Sequence, residues 1–199
     1  MSANNQKSCL IAIEGIDGAG KTTLANMLTL YFETIGREVI CQHEPTSGKW
    51  GQLLRQSAKE GRLDPALELQ YFLNDRKEHV DEVINPSLEE GHIVILDRYY
   101  FSTMAYQGAR GFDPQKIRDD NEAFAPIPDY LFILDLDVAA ALLRIKARGD
   151  VANHFEKVDA LQKSRDIFLN LSTEPFVHIL DASKSQQDVF EEALSKISL

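Results

Sequence analysis

Apolar residues gather in short runs rich in β-branched side chains, at Cys9 to Glu14, Val39 to His43, Ile93 to Asp97, Tyr130 to Asp135 and Phe176 to Leu180. Runs this short and this continuously apolar read as strands buried on both faces. Between them, the order of polar and apolar positions suits helices over Lys21 to Thr34, Pro65 to Glu90, Val138 to Arg148, Phe155 to Leu171 and Gln186 to Ile197. This alternation predicts an α/β fold of three layers, a five-stranded parallel sheet flanked by helices. Ligands of such sheets collect beyond the carboxyl ends of the strands, so candidate chemistry is sought there. Gln107 to Pro114 and Arg148 to His154 read as exposed, mobile loops.

Composition narrows the picture. With 199 residues and 44% hydrophobic content, the chain suits one full-sized core and is read as a single domain over 1–199. A formal net charge of -10, with no block of like charges, provides no electrostatic footprint for nucleic acid or an anionic membrane. Phosphates bound here would have to meet positive groups arranged locally. The run Cys9 to Ile13 is too short for a signal-peptide core or a membrane span, so a cytosolic protein is expected. Cys9 and Cys41 are expected to be buried thiols, since two cysteines make no disulfide framework. His79, His92 and His178 show no metal-ligand spacing and are expected in structural or solvated positions.

Directly after the first strand, Gly15-Ile16-Asp17-Gly18-Ala19-Gly20-Lys21-Thr22 satisfies the phosphate-loop pattern and opens a helix that continues with Thr23. The glycines let successive backbone N–H groups point at phosphate oxygens, and the helix N-terminus adds its dipole. ATP and Mg2+ are the expected ligands, with Lys21 reaching the β- and γ-phosphates and Thr22 holding the metal. No Asn-Lys-x-Asp element of the kind that reads guanine in GTPases is present. Strand three ends Ile95-Leu96-Asp97-Arg98. There Asp97 can organise the metal or its waters, while Arg98 can bridge two anionic substrates. The expectation is therefore a P-loop kinase fold.

Further motifs follow in a fixed order: Glu44-Pro45, Phe72 with Asp75-Arg76, Asp97-Arg98-Tyr99-Tyr100-Phe101-Ser102, Ala105-Tyr106-Gln107-Gly108, Pro128-Asp129, Arg148-Gly149 and Phe155-Glu156. With the phosphate loop they make the chain resemble the thymidylate kinases, from Ile11 to about Ser185. The resemblance implies transfer of the γ-phosphoryl group of ATP to dTMP, giving dTDP for dTTP synthesis. It also implies an acceptor pocket. Phe72 and Arg76, four apart on a helix, would stack on the base and meet a base carbonyl. Asp17 would approach the 3'-hydroxyl, and Tyr106 would crowd the place of a ribose 2'-hydroxyl. Glu44, Pro45, Arg98, Ser102 and Gln107 would complete the pocket. A homodimer is expected by analogy with the family.

An acceptor phosphate is already ionised, so catalysis should rest on alignment and charge neutralisation rather than on a strong base. Lys21, Arg98, Mg2+ and Arg148, on a mobile lid around 148–154, would supply the positive charge. The chain departs from the family at His43, where many members have arginine before Glu-Pro, and at His154, which replaces another frequent arginine. Gly18 also stands where some members place arginine. Arg144 and Lys146 are expected as solvated helix charges. Two other readings stay open: a kinase for deoxynucleosides or other nucleoside monophosphates, and a nucleotide-binding protein without transfer chemistry.

Overall fold

Alternate residues of the first apolar run face opposite sides of the sheet, and both sides are buried, which explains the layering. A computed structural model describes residues 7–61, 63–147 and 154–199, the last segment with side chains from 158 onward. Its strands are β1 (Cys9–Glu14), β2 (Val39–His43), β3 (Ile93–Asp97), β4 (Tyr130–Asp135) and β5 (Val177–Asp181). They form one parallel sheet in the order β2-β3-β1-β4-β5. Cys9, Ile11 and Ile13 face one core with Leu24, Leu28 and Phe32, whereas Leu10 and Ala12 face the other with Val80, Ile84, Phe101 and Phe168. The period-two pattern thus covers both faces of the sheet. Because β1 is central, its end delivers the phosphate loop to the middle of the upper edge.

The helices are α1 (Lys21–Thr34), α2 (Lys49–Glu60), α3 (Pro65–His79), α4 (Asn85–Glu89), α5 (Tyr100–Gly108), α6 (Pro114–Glu122), α7 (Val138–Ala147), α8 (His154–Leu169) and α9 (Gln186–Lys196). The helix expected over Pro65 to Glu90 is interrupted by a π-turn at Val80–Ile84. Pro86 accounts for it. Proline has no N–H, and its ring would strike the carbonyl of Glu82 in a regular α-turn, so the widened turn admits the ring without ending the helix.

Two expectations need correction. Gln107 is no loop residue: it is buried at the end of α5, and only 109–113 connect that helix to α6. Its side chain is held there by Arg110, whose Nη1 donates to Gln107 Oε1 at 3.1 Å. Cys41 is half-buried, because β2 is an edge strand. Burial pushes the Cys9 thiol up to about 12. Arg148 and the rest of 148–153 lie outside the described residues, as does the side chain of His154. No helix among the described residues is long and apolar enough to cross a membrane.

Candidate active site

The phosphate loop curls because its glycines can adopt backbone angles that other residues resist. Gly15, Gly18 and Gly20 have φ of 137°, 86° and 104°. A Cβ at Gly15 would lie 2.6 Å from the Leu134 carbonyl oxygen, and one at Gly18 2.7 Å from that of Ala141. Ile16 and Ala19 anchor the loop in the core. Lys21 folds over it, its Nζ donating to the carbonyls of Gly15 at 3.0 Å and Ile16 at 2.9 Å. Burial, followed by the charge of Arg98, pulls the Lys21 ammonium down to about 7.

Parallel pairing of β1 with β3 brings the loop beside Asp97 and Arg98. Thr22 donates its hydroxyl to Asp97 Oδ2. Arg98, at φ 73°, is the only non-glycine with positive φ among the described residues. Its guanidinium binds Asp17 and donates to Ser102 Oγ at 2.9 Å, lying 5.3 Å from the centre of the Tyr106 ring. Tyr106 Oη in turn accepts the backbone N–H of Asp17 at 3.1 Å. Asp17, Gly18, Gly20, Lys21, Thr22, Thr23, Asp97 and Arg98 enclose a small polar cavity of about 150 Å³. Its hydroxyl and carboxylate oxygens are hard donors of the kind that suit Mg2+.

Next to it, and sharing Asp17 and Arg98, opens a cavity of about 320 Å³ between α3, α5 and α8. Every residue expected in the acceptor pocket lines it: Asp17, Glu44, Pro45, Phe72, Arg76, Arg98, Ser102, Tyr106 and Gln107. Phe72 is half-buried there, while Arg76 is 2% exposed. Arg76 Nε donates to Glu44 Oε2 at 2.8 Å, Nη1 to Asn121 Oδ1 at 2.7 Å and Nη2 to Thr103 Oγ1 at 3.1 Å, with Nη2 also 2.6 Å from Glu44 Oε2. A guanidinium carries five N–H groups, and one on Nη1 remains for a ligand beside the one given to Asn121. The other carboxylate oxygen of Glu44 lies 2.9 Å from His79 Nδ1. Glu44 is held below the usual carboxylate range because, although burial opposes its charge, Arg76 and His79 outweigh that penalty.

The Glu44-Pro45 peptide is cis, and the corner after it is tied to α3 by Asp75, which accepts both the Thr46 N–H and hydroxyl at 2.7 Å. On the other side of the phosphate loop, Gly18, Ala19, Gly20, Thr23, Arg144, Lys184 and Gln186 are among the residues bounding a third cavity of about 360 Å³. Arg144 donates to the Ala182 carbonyl at 3.0 Å and approaches that of Gly18 at 3.5 Å.

Two cavities flanking a phosphate loop describe a two-substrate kinase, and comparison with known proteins narrows it. The family model for thymidylate kinase matches residues 13–193. The thymidylate kinase of Xanthomonas oryzae pv. oryzae (strain PXO99A) is 52% identical over 184 residues, covering 92% of this chain and 80% of that protein. That of Xylella fastidiosa (strain M12) is 48% identical over 188 residues, covering 94% and 86%. The crystal structure of thymidylate kinase from Ehrlichia chaffeensis superposes with a TM-score of 0.79 at 29% identity, covering 96% of this chain and 99% of that one. The chain belongs to the thymidylate kinase family.

Within this member of the thymidylate kinase family, some site features were not anticipated. Arg144 is no solvated helix charge, since it braces the phosphate loop and walls the third cavity, while Lys146 is exposed as expected. Glu68 and Arg110 form an ion pair at the wall of the acceptor cavity. Glu68 stands four residues before Phe72 on the same face of α3, a spacing that could have pointed to it. Thr103 and Asn121 carry no local signal. They meet Arg76 only through the packing of α5 and α6 against α3.

Proposed function

We propose that the 320 Å³ cavity is the dTMP site, that the phosphate loop and the Arg144 cavity take ATP, and that Arg98 joins the two. The kinase transfers the γ-phosphoryl group of ATP to dTMP, as its family does. The observation that carries the reading is the sharing of Asp17 and Arg98 between the acceptor cavity and the phosphate cradle. Only there can one guanidinium touch both substrates.

Phe72 offers the base a stacking face, and the remaining Nη1 donor of Arg76 suits a carbonyl rather than an amino group. Tyr106, held against Asp17 and Arg98, narrows the sugar end and favours a deoxyribose. Lys21 leaves its carbonyl partners to meet the phosphates, and Arg98 neutralises charge on the oxygens between donor and acceptor. Thr22 and Asp97 would hold Mg2+, which would screen the donor phosphates. Arg148 is assigned transition-state charge from the sequence pattern alone. We further assign the whole chain to one catalytic unit, its place to the cytoplasm where its nucleotides are, and its assembly to a homodimer.

A nucleoside acceptor is disfavoured by a specific observation. It would require a free carboxylate to take the 5'-hydroxyl proton. Of the carboxylates lining the cavity, Asp17 is bound to Arg98, Glu44 to Arg76 and His79, and Glu68 to Arg110, and Glu14 beneath it is fully buried with both oxygens bonded. The test is ADP release by purified enzyme given Mg-ATP with dTMP, dUMP, dCMP, UMP or thymidine at equal concentrations. Turnover should be greatest with dTMP and negligible with thymidine and UMP; a preference for thymidine would overturn the assignment.

A further inference from the structure

We infer that Glu14, which faces neither nucleotide, is the positioning residue that aims Arg98 between the two substrates. This rests on the role given to Arg98 above. Glu14 is 0% exposed and lies at the end of β1 beneath the phosphate loop. Its Oε1 accepts the backbone N–H of Tyr99 at 2.7 Å and of Ser102 at 2.9 Å, and its Oε2 accepts the Ser102 hydroxyl at 2.5 Å. Those donors belong to the turn that carries Arg98.

Arg98 sits in the left-handed region, which disfavours any residue with a Cβ. Its neighbour Tyr99 is the N-cap of α5 and provides no side-chain cap of its own. Glu14 supplies the missing cap from another strand, binding the N–H of the cap residue and sharing that of the third helical residue, Ser102, with the Tyr99 carbonyl at 3.1 Å. The hydroxyl of Ser102 completes the link. It has a single proton, given to Glu14, so its lone pairs are turned toward Arg98 Nη1, which donates to it at 2.9 Å. A carboxylate enforces this direction because it can only accept. An amide would not: its NH2 group can donate to the hydroxyl and compete with the guanidinium. Burial pushes the Glu14 carboxyl up to about 7, against the opposing effects of Ser102 and Arg98, so its charged form depends on those partners.

A helix cap that served only stability would weaken the fold in every background. A residue acting through Arg98 loses its influence on dTMP when Arg98 is gone, and a double-mutant cycle separates the two. The measurement is dTMP affinity by calorimetry, with melting temperature recorded alongside, for wild type, Glu14→Gln, Ser102→Ala, Arg98→Ala and Glu14→Gln/Arg98→Ala. Glu14→Gln is expected to weaken dTMP binding about tenfold in the wild-type background and by less than about twofold when Arg98 is alanine. Its ATP affinity should stay near wild type. Ser102→Ala keeps the backbone cap but also alters a residue that lines the acceptor cavity; it should reproduce most of the dTMP loss in the wild-type background and add less than about twofold when combined with Arg98→Ala, so the test stands even if Glu14→Gln fails to fold. Equal losses in both Arg98 backgrounds, or unchanged dTMP affinity in Ser102→Ala, would overturn the inference. Wild-type dTMP binding by Arg98→Ala would instead overturn the reading of Arg98 itself, and leave Glu14 nothing to position.

Discussion

Lys21 illustrates how one residue couples charge to ligand. Burial and the nearby Arg98 lower its ammonium to about 7, so above that pH the empty site holds it increasingly neutral. Incoming phosphates favour the charged form and raise it again. ATP binding at about pH 8 should therefore take up a fraction of a proton, approaching one. Calorimetry in buffers of different ionisation enthalpy reads this directly, and Lys21→Ala should abolish both the uptake and the transfer. Arg76 carries a different lesson. The sequence pattern marks it as a base reader, but it is also the partner of buried Glu44. Arg76→Ala strands that carboxylate and should cost about 3–5 kcal/mol of stability in chemical denaturation. Phe72→Ala, at a half-buried position on the cavity wall, is the cleaner probe. Its KM for dTMP should rise while the denaturation midpoint changes little. Glu44 was legible as a corner residue, but its partners lie 32 and 35 positions away, and local patterns carry no such distances. For Arg148, an arginine finger predicts that Arg148→Ala lowers kcat by about 10³–10⁵ with modest change in ATP affinity.

Among the elements, α2 packs on the corner whose Glu44 and Pro45 line the proposed acceptor pocket. Gly51 of α2 lies so close to that corner that a Cβ would stand 1.9 Å from the Thr46 carbonyl oxygen. Arg55, one turn on, donates to the carbonyls of Pro45 at 2.8 Å and Thr46 at 2.5 Å. Gly51→Ala should push the helix off the corner, destabilising by about 1–3 kcal/mol. Because Glu44 and Pro45 ride on that corner, KM for dTMP should rise more than KM for ATP in steady-state kinetics. The strands were readable because continuous apolar runs have few alternatives; four of the five begin and end as expected, and β5 begins and ends one residue later, at Val177 and Asp181. α6 escaped because Pro114 to Glu122 contains one apolar residue, Ile117, and so has no period to detect. Its start was nonetheless written locally. Asp113 caps the helix by accepting the Gln115 N–H, with Pro114 as first residue, a pairing that marks helix entry.

The whole molecule is acidic, with a formal net charge of -10, yet it must bring two polyanions together. Fold topology resolves this by concentrating positive charge where the central strands end. Lys21 and Arg98 converge on a cavity of about 150 Å³, and Arg144 borders the neighbouring one. The layout of the sheet was legible from strand and helix alternation, and the phosphate loop from its motif. The depth of the acceptor pocket was not, because α3, α5 and α8 meet only in three dimensions. The proposed arrangement seats the two nucleotides in separate cavities, with their phosphates meeting at Arg98. The most direct measurement uses adenosine and thymidine joined 5' to 5' by a polyphosphate long enough to span both cavities. If the geometry holds, this compound competes with both ATP and dTMP and binds more than about tenfold tighter than either, since its second contact is intramolecular. Competition with only one nucleotide, at an affinity no better than that nucleotide alone, would show that the two cavities do not meet at Arg98.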